Sequence, residues 1–335
     1  MSTPEIVIPD TFLWLTEADV CSLIDLKDSI TALEKGLVME ATGEAVNMTK
    51  TQTVWPTGSL NVTGAQFRGA GLVGAKVWSN ANLGAAPIII LHGSEDGQIR
   101  AIIEAFALGQ MRTAALSSVA TKWLADEKAD EMTMIGSGHQ ALPQVSAVMA
   151  VRPIKRVRVW SRTPANRAAF VADIKKAYPN VEVVDCPTVE ASVKDSPIIT
   201  TFTRAKEPYI FADMLAKGAH INAGGAIIPS NKEIDTGVFK RCDKIICDNL
   251  AQVQKGSKEL IDFVAAGGSW DAIKPISELV KEQKPRPSGA DITIYKFMGM
   301  GLADMASAVE VYQRAVAKKV GTDYPHPKRS QPKLL

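Results

Sequence analysis

Met132-Thr133-Met134-Ile135-Gly136-Ser137-Gly138-His139-Gln140-Ala141 decides the fold. A short strand runs into a glycine turn, and the turn runs into a helix predicted over about 140–150. Gly136 permits the tight turn, Gly138 lets the backbone approach a pyrophosphate, and Ala141 is small enough for close helix–strand packing. The helix N-terminus offers N–H groups and partial positive charge to phosphates, with Ser137, His139 and Gln140 beside them. A G-x-G-x-x-A pattern alone is compatible with a turn that binds nothing. Here a strand precedes it and a helix follows within a βαβ-sized unit, so we read a Rossmann-type nicotinamide-dinucleotide domain. His139 holds the variable position of the turn and reads as exposed rather than catalytic, because a lone histidine needs a partner to acquire a role.

Downstream the chain alternates short apolar strands with helices. Val157-Arg158-Val159-Trp160, Val181-Glu182-Val183-Val184, Ile198-Ile199-Thr200-Thr201, His220-Ile221-Asn222 and Lys244-Ile245-Ile246-Cys247 read as strands, with a helix over 164–178. That order predicts an α/β fold, a doubly wound parallel sheet with helices on both faces. The end of the second strand selects the cofactor. An NAD site usually places Asp or Glu there, and this chain has Ser161-Arg162-Thr163. The planar fork of Arg162 suits a 2′-phosphate, and Ser161 and Thr163 can donate to it, which favours NADP(H) over NAD(H). Arg162 as a solvent-facing residue stacked on the adenine is the alternative.

Upstream, Thr16-Glu17-Ala18-Asp19 caps the first of two short helices between about 16 and 41. The stretch to Gly97 is strand-like, with Val73-Gly74-Ala75-Lys76-Val77-Trp78 and Ile88-Ile89-Ile90-Leu91 its clearest pieces. Gly93-Ser94-Glu95-Asp96-Gly97 is a hairpin turn with a returning strand over 98–104. An Ala-rich helix is predicted over 112–125 and a last one over 301–318.

At 335 residues the chain exceeds a single core, so two domains are expected. The balance of 38 basic and 36 acidic residues, without a basic block, excludes an electrostatic nucleic-acid footprint. No uncharged apolar run approaches the roughly 18 residues of a membrane span. Met1-Ser2-Thr3-Pro4-Glu5 lacks the charged and apolar regions of a signal peptide. Cys21, Cys186, Cys242 and Cys247 have no zinc spacing, so we expect reduced thiols, no metal and a cytoplasmic location.

Several motifs then coincide: Arg112-Thr113-Ala114-Ala115, the glycine turn, Trp160-Ser161-Arg162-Thr163, Gly218-Ala219-His220-Ile221-Asn222-Ala223, and Met298-Gly299-Met300-Gly301-Leu302-Ala303-Asp304. Their order and spacing resemble the ornithine cyclodeaminase/mu-crystallin family from about Thr16 to Ala315. The resemblance implies a Rossmann domain over 113–297, inserted in a discontinuous α+β domain (1–112 plus 298–335) for substrate binding and homodimerisation. It implies NAD(P)-dependent chemistry on α-amino acids or their imino forms. Lys76 matches the family lysine that faces the substrate, and Arg112 the arginine that clamps its carboxylate. Lys50 stands where a second arginine is usual, keeping the charge and losing the fork. Asn222 and Gly299 fall in motifs expected at the cofactor. Thr113, Thr201 and Thr203 lie at element ends near the expected cleft, as cofactor ligands or as caps. Arg112 as a domain-interface ion pair, Lys296 as a surface charge and Asp304 as an ordinary helical residue stay open.

The most informative departure is Ile227. Cyclodeaminases and the alanine dehydrogenase type carry an acid/base aspartate there, and mu-crystallin-type ketimine reductases also lack it. Cyclodeamination moves protons at every stage, where such a group contributes about 10²–10⁴-fold. The reading is therefore a reductase of a cyclic or acyclic α-imino acid giving an L-α-amino acid, reversible as a dehydrogenase. An ornithine or lysine cyclodeaminase and an NADP-binding protein without turnover are the alternatives.

Overall fold

The computed structural model describes residues 10–82 and 84–334, so the reading of Met1 to Glu5 falls outside the described residues. The first sheet uses β1 (Thr11–Leu15), β2 (Ala45–Asn47), β3 (Thr51–Trp55), β4 (Gly58–Phe67), β5 (Leu72–Ala81), β6 (Gly84–Ala85), β7 (Ile88–Gly93) and β8 (Ile99–Glu104). The second uses β9 (Glu131–Ile135), β10 (Arg156–Trp160), β11 (Glu182–Asp185), β12 (Ile198–Thr201), β13 (His220–Ala223), β14 (Cys242–Cys247), β15 (Ile273–Pro275) and β16 (Ile292–Lys296). The chain then returns to the first sheet, where β17 (Thr322–Pro325) pairs antiparallel with β1.

The second sheet is the predicted doubly wound parallel sheet. Its order is β11-β10-β9-β12-β13-β16-β14-β15. The direction of winding reverses between β9 and β12, and a crevice at the carboxyl ends of strands opens at such a switch point. β9, β12 and β16 are buried along nearly their whole length, on both faces, as strands of such a sheet are.

In the first sheet β4 and β5 pair over ten residues, and alternation sorts their side chains. Leu72, Gly74 and Lys76 of β5 are buried, whereas Val73 between them is exposed. The helix Gly301–Lys318, with the predicted bounds, covers the buried face. Small residues bring it down: a Cβ on Gly301 would sit 2.3 Å from the Gly64 nitrogen, and one on Gly74 3.0 Å from Met305 Sδ. This close approach puts Asp304 against Lys76.

One helix corrects the sequence reading. The Ala-rich helix begins at Phe106, not Arg112, and runs to Leu124, passing through 112–113 without a break. Its N-cap, Ala105, has no capping side chain. Instead Glu17, from the first helix, accepts the N–H groups of Phe106 and Ala107 at 2.5 and 2.9 Å. A cap supplied from 89 residues away leaves no local signal. The four cysteines are free. Among the described residues no helix is long and apolar enough to cross a membrane.

Candidate active site

Three cations, Lys50, Lys76 and Arg112, gather around Asp304 and Asp248 where the two sheets meet. Lys76 projects from β5 and is buried, its Nζ 2.5 Å from Asp304 Oδ1. Arg112, nearly two turns into its helix, brings Nε to 2.9 Å from the same oxygen. Lys50, just before β3, lies 5.9 Å from the Trp78 ring centroid, and Lys76 lies 4.7 Å from it. One indole ring thus serves two ammonium groups. Burial brings Lys76 down to about 8; Arg112 pushes the same way and Asp304 opposes. Lys50 is also lowered, by burial first and Arg112 second. With two carboxylates, Asp304 and the buried Asp248, against three cations, the cluster still favours an added carboxylate.

The sequence motifs do not single out Asp304 as a site residue. Its signal is its isolation: it is the one charged residue in Gly301-Leu302-Ala303-Asp304-Met305-Ala306-Ser307-Ala308-Val309. A lone charge in such a run is buried and paired, or it is not tolerated.

The glycine turn occupies the carboxyl end of β9. Gly136 takes φ +110°, and a Cβ there would meet the Phe202 carbonyl oxygen at 2.5 Å. Gly138 is exposed, with nothing within 4 Å of an added Cβ, so space is open where a pyrophosphate would approach. The helix Ala141–Met149 has no side-chain cap at Gln140; its Ala141 N–H donates to the Gly138 carbonyl at 2.8 Å and Pro143 has no N–H, so no side chain occupies its N-terminus. These features fit a dinucleotide phosphate. His139 is exposed, and its carbonyl accepts from Gln110 of the Phe106–Leu124 helix at 3.1 Å, tying the turn to the helix of Arg112. Gln140 keeps a buried amide oxygen without a hydrogen-bond partner.

At the end of β10, Arg162 and Thr163 are exposed, and Arg162 makes no ion pair or hydrogen bond among the described residues. Ser161 differs from expectation: it is buried and engaged by Ser137 Oγ at 3.1 Å and the Thr163 carbonyl at 3.3 Å, so it shapes the turn instead of facing a phosphate. Thr113 bonds back to the Gly109 carbonyl at 2.8 Å within its helix. Thr201 and Thr203 both donate to Glu233. Asn222 is fully buried one residue short of the strand end, and its amide donates to Thr121 and Thr200 at 3.0 and 3.3 Å. It secures β13 to the helix Phe106–Leu124 and does not reach the cleft.

Gly299 takes φ +89°, and Asp248 fixes its turn by accepting from Met298 and Gly299 at 2.8 and 2.5 Å. With its amide oriented to satisfy both neighbours, Gln252 accepts from the Lys50 backbone N–H at 3.1 Å and donates to the Gly299 carbonyl at 3.2 Å. The Gly299 turn of the second sheet is thereby pinned to Lys50 of the first, and Lys50, Lys76, Arg112 and Gly299 form one site. Ile227, after β13, is exposed.

The profile of the ornithine cyclodeaminase/mu-crystallin family matches residues 12–319. An alanine dehydrogenase of Archaeoglobus fulgidus is 30% identical over 322 residues, 92% of this chain and 97% of that one. An archaeal alanine dehydrogenase dimer with bound NAD is similar in structure, with TM-score 0.87 and 26% identity over 94% of this chain and 99% of its own. The Δ1-pyrroline-2-carboxylate reductase of Thermococcus litoralis, in complex with NADH and L-proline, also gives TM-score 0.87 and 26% identity, over 93% and 99%.

Proposed function

The chain belongs to the ornithine cyclodeaminase/mu-crystallin family, and from that premise we propose that it is an NAD(P)H-dependent reductase of an α-imino acid, giving an L-α-amino acid and running in reverse as an amino acid dehydrogenase. The observation that carries this reading is the buried Lys76–Asp304–Arg112 cluster. Arg112 and Lys50 hold the substrate carboxylate, which orients the C=N bond toward Lys76. Lys76, near 8, is largely an ammonium at neutral pH, yet gives up its proton far more readily than an ordinary lysine, so it protonates the imine nitrogen. Asp304 holds its Nζ in place and opposes further loss of charge. The cofactor, when bound, supplies the hydride. Isoleucine at 227 carries no proton, which supports reduction over cyclodeamination.

NADP(H) is the favoured cofactor, because the unpaired guanidinium of Arg162 stands where a carboxylate would reject a 2′-phosphate. Arg162→Ala is expected to raise KM for NADPH roughly tenfold and leave that for NADH nearly unchanged. The free thiols suit the reducing cytoplasm. Oxidation of NADPH and NADH, followed by absorbance against cyclic and acyclic α-imino acids, tests the function. Turnover with at least one imino acid is expected. Proline and ammonia formed from ornithine without added NADPH would instead make it a cyclodeaminase, and no oxidation with any imino acid would leave only the binding protein.

A further inference from the structure

Glu233 gathers more donors than any side chain of the proposed reaction centre. It is fully buried. Its Oε1 accepts from Thr201 Oγ1 at 2.8 Å, Thr203 N at 2.6 Å, Thr203 Oγ1 at 2.7 Å and the Tyr209 hydroxyl at 2.9 Å. Its Oε2 accepts from Gly225 N at 2.8 Å and Ala226 N at 3.2 Å. Each oxygen faces a backbone N–H, so a proton on either would oppose a donor; the geometry is that of the ionised carboxylate. Glu233 makes no ion pair among the described residues. The adjoining charges cancel: Lys296 Nζ sits 2.6 Å from Glu259 Oε2 and donates to the Ala226 carbonyl at 2.8 Å, while Glu259 Oε1 accepts from Glu233 N and Ile234 N. The buried group carries one net negative charge.

Its place in the sheet is specific. The segments it joins follow β12 and β13 at their carboxyl ends, across the switch point from β10. A dinucleotide spanning that crevice keeps its adenine half beside β9 and β10, where Ser161 to Thr163 lie, and its nicotinamide half beside β12 and β13. The cations Lys50 and Lys76 approach from the first sheet and Arg112 from the Phe106–Leu124 helix, and together they disfavour a positive nicotinamide ring; Glu233 acts against them. We propose that Glu233 is a positioning residue that acts through its charge. It locks the loops after β12 and β13 together and favours the positively charged oxidised nicotinamide over the neutral reduced one, poising bound NAD(P)H to give up hydride.

The test compares affinities for the oxidised and reduced cofactor, measured by fluorescence titration of wild type, Glu233→Gln and Lys296→Gln. No imino acid enters the measurement, so its outcome is separate from the substrate reading. The ratio of dissociation constants, oxidised over reduced, is expected to rise roughly tenfold in Glu233→Gln, equivalent to about 30 mV for a two-electron couple. It is expected to fall in Lys296→Gln, where Glu259 retains its two N–H donors and its charge. A purely structural clamp would weaken both affinities alike, so an unchanged ratio in folded Glu233→Gln overturns the proposal. Should Glu233→Gln fail to fold, an unchanged or raised ratio in Lys296→Gln overturns it equally.

Discussion

Lys76 loses its proton as pH rises through about 8, because burial and Arg112 hold it below its ordinary value of 10.5. If its ammonium protonates the imine, kcat falls over the same interval. Asp304 raises Lys76 through its charge and its hydrogen bond; Asp304→Asn removes the charge and leaves at most a weaker, neutral acceptor. The falling limb of the kcat–pH profile is then expected to move to lower pH; a limb that stays in place would dissociate Lys76 from the proton transfer. Lys76 and Arg112 are legible from the motifs around them. Their shared partner is not, because the pairing of residues 228 positions apart is decided by how the Gly301–Lys318 helix lies on β5. Asn222 and Ser161 depart from expectation for a related reason: a motif gives a position in the chain but not the direction of a side chain, and both are used up inside the fold.

The helix Phe106–Leu124 shows the same limit at the scale of an element. Its apolar content and its end are readable, and its start is not, because Glu17 supplies the cap. Two charge-assisted bonds at a helix N-terminus contribute about 1 kcal/mol. Glu17→Ala is therefore expected to lower the denaturant midpoint by a corresponding amount and, since Arg112 rides on the frayed end, to raise KM for the substrate more than it lowers kcat. An unchanged KM would show that the carboxylate clamp does not depend on the cap. By contrast, the strands from β9 to β12 fall within one residue of where the sequence places them, since short apolar stretches between turn residues are what a covered parallel sheet requires.

At the scale of the whole molecule, one face of the first sheet lies under the Gly301–Lys318 helix. Val46, Leu60 and Val73, away from that helix, remain exposed, at 45, 44 and 37%. Exposed apolar side chains gathered on one sheet support burial against a second copy, and a homodimer is proposed on that basis. Sedimentation of the wild type is expected to give a dimer and of Val73→Asp a monomer; a monomeric wild type would refute it. The dimer lies outside what composition reveals, because a half-exposed valine reads the same in a strand of either kind.

Lys76 is proposed to serve imine reduction where the two sheets meet, and single-turnover mixing isolates that step. NADPH-loaded protein is mixed with an α-imino acid that the wild type reduces, and the absorbance of the reduced nicotinamide is followed for wild type and Lys76→Met. A wild-type transient of one hydride per site is predicted, slowed at least about 10²-fold in Lys76→Met with NADPH affinity retained. An equally fast transient in Lys76→Met would contradict the assignment.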